Sequence, residues 1–196
     1  MAEVVLFHHV QGLTDGIVAF AGALREGGHT VHTPDLFDGE QPRSIDDGMT
    51  LVRRIGDEVL DGRADAAVAG LPEALVYAGV SLGAGTAQRL AQTRSGARGA
   101  LLYEACLPVT GEWAIGPWPS GVPVQVHGMD KDPFFGLEGD LDAATELVEI
   151  VGPSVGELFV YPGDRHLFTD SSLPSYDADA SALVLQRSLA FLDRLG

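Results

Sequence analysis

Leu75-Val76-Tyr77-Ala78-Gly79-Val80-Ser81-Leu82-Gly83-Ala84-Gly85 is an apolar run that ends in Gly-x-Ser-x-Gly, and Thr86, Ala87, Leu90 and Ala91 continue it at helical spacing. A strand that turns sharply into a helix through small residues holds its serine hydroxyl clear of the sheet. The helix start behind it directs backbone N–H groups at a reacting oxygen. A glycine-rich βα turn without chemistry shares the five-residue pattern. The strand before it, the helix after it and Gly85 beyond it favour a nucleophile elbow with Ser81 at its tip.

Outward from that stretch, short β-rich runs alternate with helical patterns, as in βα units joined by crossovers into a parallel sheet. Strands are predicted at Val4 to His8, Thr30 to Thr33, Leu75 to Val80, Gly99 to Glu104, Val122 to His127 and Glu157 to Tyr161. Ile17, Phe20 and Leu24 recur at helical spacing between the capping pair Thr14-Asp15 and the stop Gly27-Gly28. Further helices are predicted from Ile45 to Leu60, after Ser81, from Leu141 to Ile150 behind the cap Asp140, and from Ala180 to Leu195. No repeat or linker interrupts the chain. Its 196 residues, against about 100–200 per domain, read as one domain spanning 1–196. Val109 to Gly121, with Trp113, Pro117, Trp118 and Pro119, lacks periodicity and either lines a pocket or covers the sheet.

In an open parallel sheet the residues just past each strand face the ligand crevice. There a serine needs a base, and the base needs an orienting acid. His166 lies on the Pro162-Gly163 loop after the last strand, and the order Ser, acid, His is the one used by folds that carry this elbow. The Val122 strand ends before Met129-Asp130-Lys131-Asp132-Pro133, and either aspartate can reach an imidazole from such a turn. Asp132 is preferred, which leaves Asp130 as a turn-former or a partner of Lys131.

The formal charge of −16, with only twelve Lys and Arg, argues against nucleic acid and against an anionic membrane surface. The start Met1-Ala2-Glu3-Val4-Val5-Leu6-Phe7 resembles neither a signal peptide nor a membrane span, so a cytoplasmic protein is expected. Cys106 is the single cysteine and closes an apolar strand, which reads as core. His8 and His9 point to opposite faces of their strand, so at most one faces the crevice. With His127 and Asp35 they offer no metal-ligand spacing, and neither metal nor cofactor is expected. A pocket role is assigned to His9.

The elbow, the Val122-Pro123-Val124 strand with Gly128 and Asp132 after it, Tyr161-Pro162-Gly163 before His166, and Pro34-Asp35-Leu36-Phe37 resemble motifs of the dienelactone hydrolase family along essentially the whole chain. The resemblance implies an α/β-hydrolase fold with a mostly parallel sheet of about six strands and helices on both faces. It also implies Asp132 as the acid and the N–H groups of Leu82 and Val10 as oxyanion donors. Three features depart from that family. It typically carries cysteine where this chain has Ser81, and glutamate where this chain has His9. Its dienelactone-cleaving members place arginine four residues past the histidine, where Asp170 stands here. The segment between Asp35 and Leu75 is also shorter than usual.

The expectation is a serine-dependent ester or lactone hydrolase acting on a small molecule through Ser81, His166 and Asp132. Asp170 in the pocket would disfavour anionic substrates. The rival is a catalytically idle member of the fold that binds a small molecule or a protein, for which the changes at positions 9, 81 and 170 would be drift.

Overall fold

Val76–Val80, Gly99–Tyr103 and Val124–Met129 are buried at every position. Strands with near-continuous apolar character belong in a parallel sheet covered on both faces. The computed structural model, which describes residues 1–196, has that arrangement. In chain order the elements are β1 (Glu3–Phe7), α1 (Asp15–Glu26), β2 (Thr30–His32), α2 (Ile45–Ile55), α3 (Asp57–Ala69), β3 (Val76–Val80), α4 (Leu82–Thr93), β4 (Gly99–Tyr103), β5 (Val124–Met129), α5 (Asp140–Val151), β6 (Gly156–Tyr161) and α6 (Ala178–Leu195). All six strands are parallel, in the order β2-β1-β3-β4-β5-β6.

Alternation along the strands divides the core in two. Val5, Phe7, Tyr77, Leu102 and Val126 face α2 to α5, meeting Leu51, Leu60, Ala64, Leu90 and Leu147. Val4, Leu6, Ala78, Leu101 and Met129 face the other way, toward Ile17, Phe20 and Leu24 of α1 and Val184, Phe191 and Leu192 of α6. After β1 the chain moves outward to β2 and then returns across β1 to β3, so the order reverses between β1 and β3. Such a reversal opens a crevice at the carboxyl ends of the strands. Val10 follows β1 and Ser81 follows β3, one on each side of it.

Local chemistry sets most boundaries. Thr14 accepts from the Ile17 N–H at 3.3 Å to start α1, Ser44 accepts from Asp47 at 3.1 Å to start α2, and Asp177 accepts from Ala180 at 3.1 Å to start α6; each such cap contributes about 1 kcal/mol. Two helix expectations differ from the structure. Ile45 to Leu60 is not one helix: Gly56, at φ 89°, ends α2 and starts α3, which runs on to Ala69. Asp140 is not the cap of α5. Left-handed Gly139 holds that position, and the Asp140 carboxylate instead accepts from the Cys106 N–H at 3.1 Å. The Val122 strand is displaced by two residues to Val124–Met129.

Val109 to Gly121 contains no regular element and serves both expected purposes. Val109 and Trp118 pack on the core, with Trp118 donating to the Val122 carbonyl at 2.8 Å, while Ile115 faces a cavity over the sheet end. Cys106 is buried, and burial pushes its thiol pKa up to about 12. It behaves as a small apolar core residue. No helix is long and apolar enough to cross a membrane.

Candidate active site

Parallel registers bring the strand ends level: Val80 lies beside Tyr103, Tyr103 beside His127, and Met129 beside Tyr161. Residues that leave β3, β4, β5 and β6 at this edge therefore meet. Ser81 is at φ 52°, ψ −114°, a strained conformation for a residue with a Cβ. The turn is possible because its neighbours lack side chains. A Cβ on Gly79 would run into the carbonyl of Gly83, and one on Gly83 into the carbonyls of Phe7 and His8. These two glycines let α4 press onto β1 and β3 and thrust Ser81 out of the strand.

Ser81 Oγ lies 2.8 Å from His166 Nε2, and His166 Nδ1 lies 2.7 Å from Asp132 Oδ2. With Nδ1–H donating to the carboxylate, Nε2 presents a lone pair to the serine hydroxyl. Asp132 is fully buried, and its Oδ1 accepts from the Phe134 N–H at 2.9 Å. The Phe134 ring lies against the imidazole, with centroids 4.6 Å apart. Burial opposes charge on His166, but the Asp132 hydrogen bond and the charges of Glu104, Asp132 and Asp140 outweigh it, and its pKa stands above the usual value. Asp130 is exposed and accepts from the Gly163 N–H at 2.9 Å, tying the β5 and β6 loops together away from the imidazole.

A cavity of about 580 Å³ opens above Ser81. Leu36, Ile45, Met49, Leu60, Ile115 and Phe134 form much of its wall, and Val10 and Leu82 border it beside the serine. Asp57, Asp61, Glu104 and Asp140 are its acids, and Arg89 is its one arginine or lysine. Arg89 is already engaged. Its Nη2 donates to Asp65 at 2.9 Å, and its Nε sits 3.0 Å from Asp61 Oδ1, off the N–H axis, as an ionic contact.

His9 and Asp170 do not line this cavity; both are fully buried beneath it. His9 Nε2 donates to Asp170 Oδ2 at 2.7 Å, and His9 Nδ1 accepts from the Gln11 N–H at 3.1 Å. Asp170 also accepts from the Thr14 hydroxyl, and from the N–H and hydroxyl of Ser172 at 2.8 and 2.6 Å. Although burial opposes it, those donors depress the Asp170 pKa to about 2. A buried carboxylate needs such donors, and they come from His9 after β1, Thr14 at the start of α1 and Ser172 in the segment after His166, none of which lines the cavity. The pocket role expected of both residues gives way to one of fastening α1 to the His166 loop.

His8 faces away from His9, with Nδ1 donating to the His9 carbonyl at 2.8 Å and Nε2 accepting from Leu36 at 3.0 Å. His127 is spent on Tyr161 and Gln125. The histidines and Asp35 thus make no common ligand set. Ligand atoms of Glu104, Asp132 and His166 do lie within 4.8 Å of one another. Their lone pairs and protons are committed to each other, to Ser81 and to loop N–H groups, so an ion would have to break that arrangement.

Glu104, which the sequence reading passed over, is the one functional candidate added at the centre of the site. It closes β4 and lies fully buried behind the imidazole.

A parallel sheet with this order, a serine elbow after the strand beside the reversal, and an acid and a histidine after the last two strands define an α/β-hydrolase. The dienelactone hydrolase family model matches residues 1–196, and the chain belongs to that family. Among solved structures, it is similar to the dienelactone hydrolase-like promiscuous phosphotriesterase P91 from metagenomic libraries, at 20% identity and TM-score 0.77, covering 100% of this chain and 87% of the other. It is also similar to a thermophilic esterase from Thermogutta terrifontis, at 16% identity and TM-score 0.66, covering 100% and 84%, and to esterase PE8, at 20% and 0.64, covering 100% and 93%. At these identities the likeness is one of fold. No curated protein matches the chain.

Proposed function

We propose that this protein is a serine-dependent carboxylic ester or lactone hydrolase that works through an acyl-enzyme. The observation that carries the reading is the continuous relay Ser81 Oγ, His166 Nε2, His166 Nδ1, Asp132 Oδ2, with links of 2.8 and 2.7 Å, opening onto a cavity. Ser81 Oγ attacks the carbonyl carbon while its proton passes to His166 Nε2. The N–H groups of Leu82 and Val10 receive the oxyanion. Collapse expels the alcohol, which takes the proton from Nε2. Water then repeats the cycle, giving its proton to Nε2 and releasing the acid and free Ser81. Asp132 keeps the tautomer and stabilises the imidazolium. No cofactor takes part.

Cavity chemistry narrows the substrate. The wall around Ser81 is largely apolar, its carboxylates outnumber its guanidinium, and that single guanidinium is neutralised by two aspartates. A substrate carboxylate would find no partner and several like charges, so neutral esters or lactones with apolar acyl groups are the favoured class. The dienelactone hydrolase name of the family therefore does not transfer to an anionic substrate here. Unit charges about 4–6 Å apart near a surface interact by a few kcal/mol before salt screening. The test is kcat/KM for two aryl esters of equal acyl length, one neutral and one ending in a carboxylate, at low and high salt. The neutral ester should lead by about tenfold or more at low salt, with the gap narrowing as salt rises. Preference for the anionic ester at low salt would overturn this substrate class.

A further inference from the structure

Glu104 is a carboxylate without exposure to water, and burial raises its pKa above the usual carboxylate value although the His166 charge and the Thr169 donors pull it down. All four of its contacts with the 167–169 segment are with donors. Oε2 accepts from the N–H of Leu167 and, at 3.2 Å, of Phe168, while Oε1 accepts from the N–H of Thr169 at 3.3 Å and its hydroxyl at 2.8 Å. Three successive backbone N–H groups and a hydroxyl around one carboxyl make a site for an anion rather than for a neutral acid.

The backbone around this contact is strained as well. Four non-glycine residues have positive φ, and three of them, Ser81, Glu104 and Leu167, are at this site. Glu104 at φ 63° grips the N–H of Leu167 at φ 61°, the residue after the base. Strain of that kind persists only where surrounding contacts hold it. Glu104 Oε2 is also 3.9 Å from His166 Nδ1, the nitrogen that Asp132 engages from the next strand.

We propose that Glu104 is a second acid of the relay, a positioning residue that acts through His166: ionised, it clamps the loop carrying the base and shares with Asp132 the charge that stabilises the imidazolium. The inference rests on the reading of His166 as base. Other charged groups near the ring are Asp132 after β5 and Asp140 at the start of α5, and Arg165 next to it is turned toward Asp177 and the Tyr176 carbonyl.

Two readouts test it. In NMR titration of the histidine rings of the intact chain, with His166 assigned by loss of its signal in His166→Gln, Glu104→Gln should lower the His166 pKa by about one unit or more. In kinetics on the neutral ester, E104Q should lower kcat by about tenfold or more with KM within about threefold. A fall in kcat without the pKa shift would mark a mere structural prop and overturn the proposal, as would an unshifted pKa with normal kcat. Should E104Q not fold, Asp132→Asn decides. With Glu104 charged, the buried His166 of D132N should still titrate well above buried His127, whose pKa desolvation and Arg187 hold down, and a value as low as that of His127 overturns the proposal. The titration does not depend on turnover, so it separates failure of this inference from failure of the serine mechanism, which Ser81→Ala tests.

Discussion

Ser81→Ala is expected to lower kcat for a simple neutral aryl ester by at least about 10³-fold while the protein stays folded. The size follows from losing the only atom in the cavity that the relay activates. The fold should hold because Ser81 Oγ makes no capping bond to α4 and engages His166 alone. Alanine at φ 52° carries strain similar to that of serine, so the elbow backbone has little reason to change. Turnover should be measured beside thermal unfolding of the same samples. A folded S81A with near-wild-type kcat would remove serine from the mechanism.

The second large effect distinguishes the two aspartates after β5. Asp132→Asn should cost about 10²–10³-fold in kcat, since an amide at 2.7 Å from Nδ1 can present a donor and favour the wrong imidazole tautomer. The loss should be smaller than the roughly 10⁴-fold known for this substitution in a serine protease triad, because the Glu104 carboxylate remains beside the ring. Asp130→Asn should cost less than about tenfold. Its contact is with the Gly163 N–H, which an amide oxygen can also accept. Steady-state kinetics on both variants checks the ranking, and a larger loss in D130N would transfer the acid's role to Asp130.

Much of this architecture was legible because the responsible signals are local. Val76 to Val80, Gly99 to Tyr103 and the Val124 strand are apolar runs too short for helices, and Thr14 with Gly27 brackets α1 by cap chemistry alone. Ser81, Asp132 and His166 could be picked out because each follows a strand, and the crossover rule puts those ends on one edge. What stayed hidden depends on contacts distant in sequence. Gly56 sits inside an apolar periodicity that continues past it, and a glycine within a helix costs only about 1 kcal/mol, so its turn to φ 89° had no local sign. The helix after it carries Asp57, Leu60 and Asp61 to the wall of the cavity above Ser81.

Asp170 was misjudged for a similar reason. Four residues past His166 it occupies the right place in the chain, but Thr14 and His9, over 150 positions away, draw it under the sheet end. Glu104 did leave a trace. A charged residue closing the otherwise apolar run Gly99 to Tyr103 has to find donors, and those donors are on the loop that carries His166.

The central claim, that Ser81 is an activated nucleophile rather than a relic in an idle fold, is tested most directly by a fluorophosphonate probe. Such a reagent bonds to serine only where a base removes its proton and an oxyanion site receives the phosphoryl oxygen. Intact-mass and peptide analysis after incubation at neutral pH should show one adduct per chain, on Ser81, and none in Ser81→Ala. An unlabelled folded wild type, or an adduct that persists in S81A, would contradict the account.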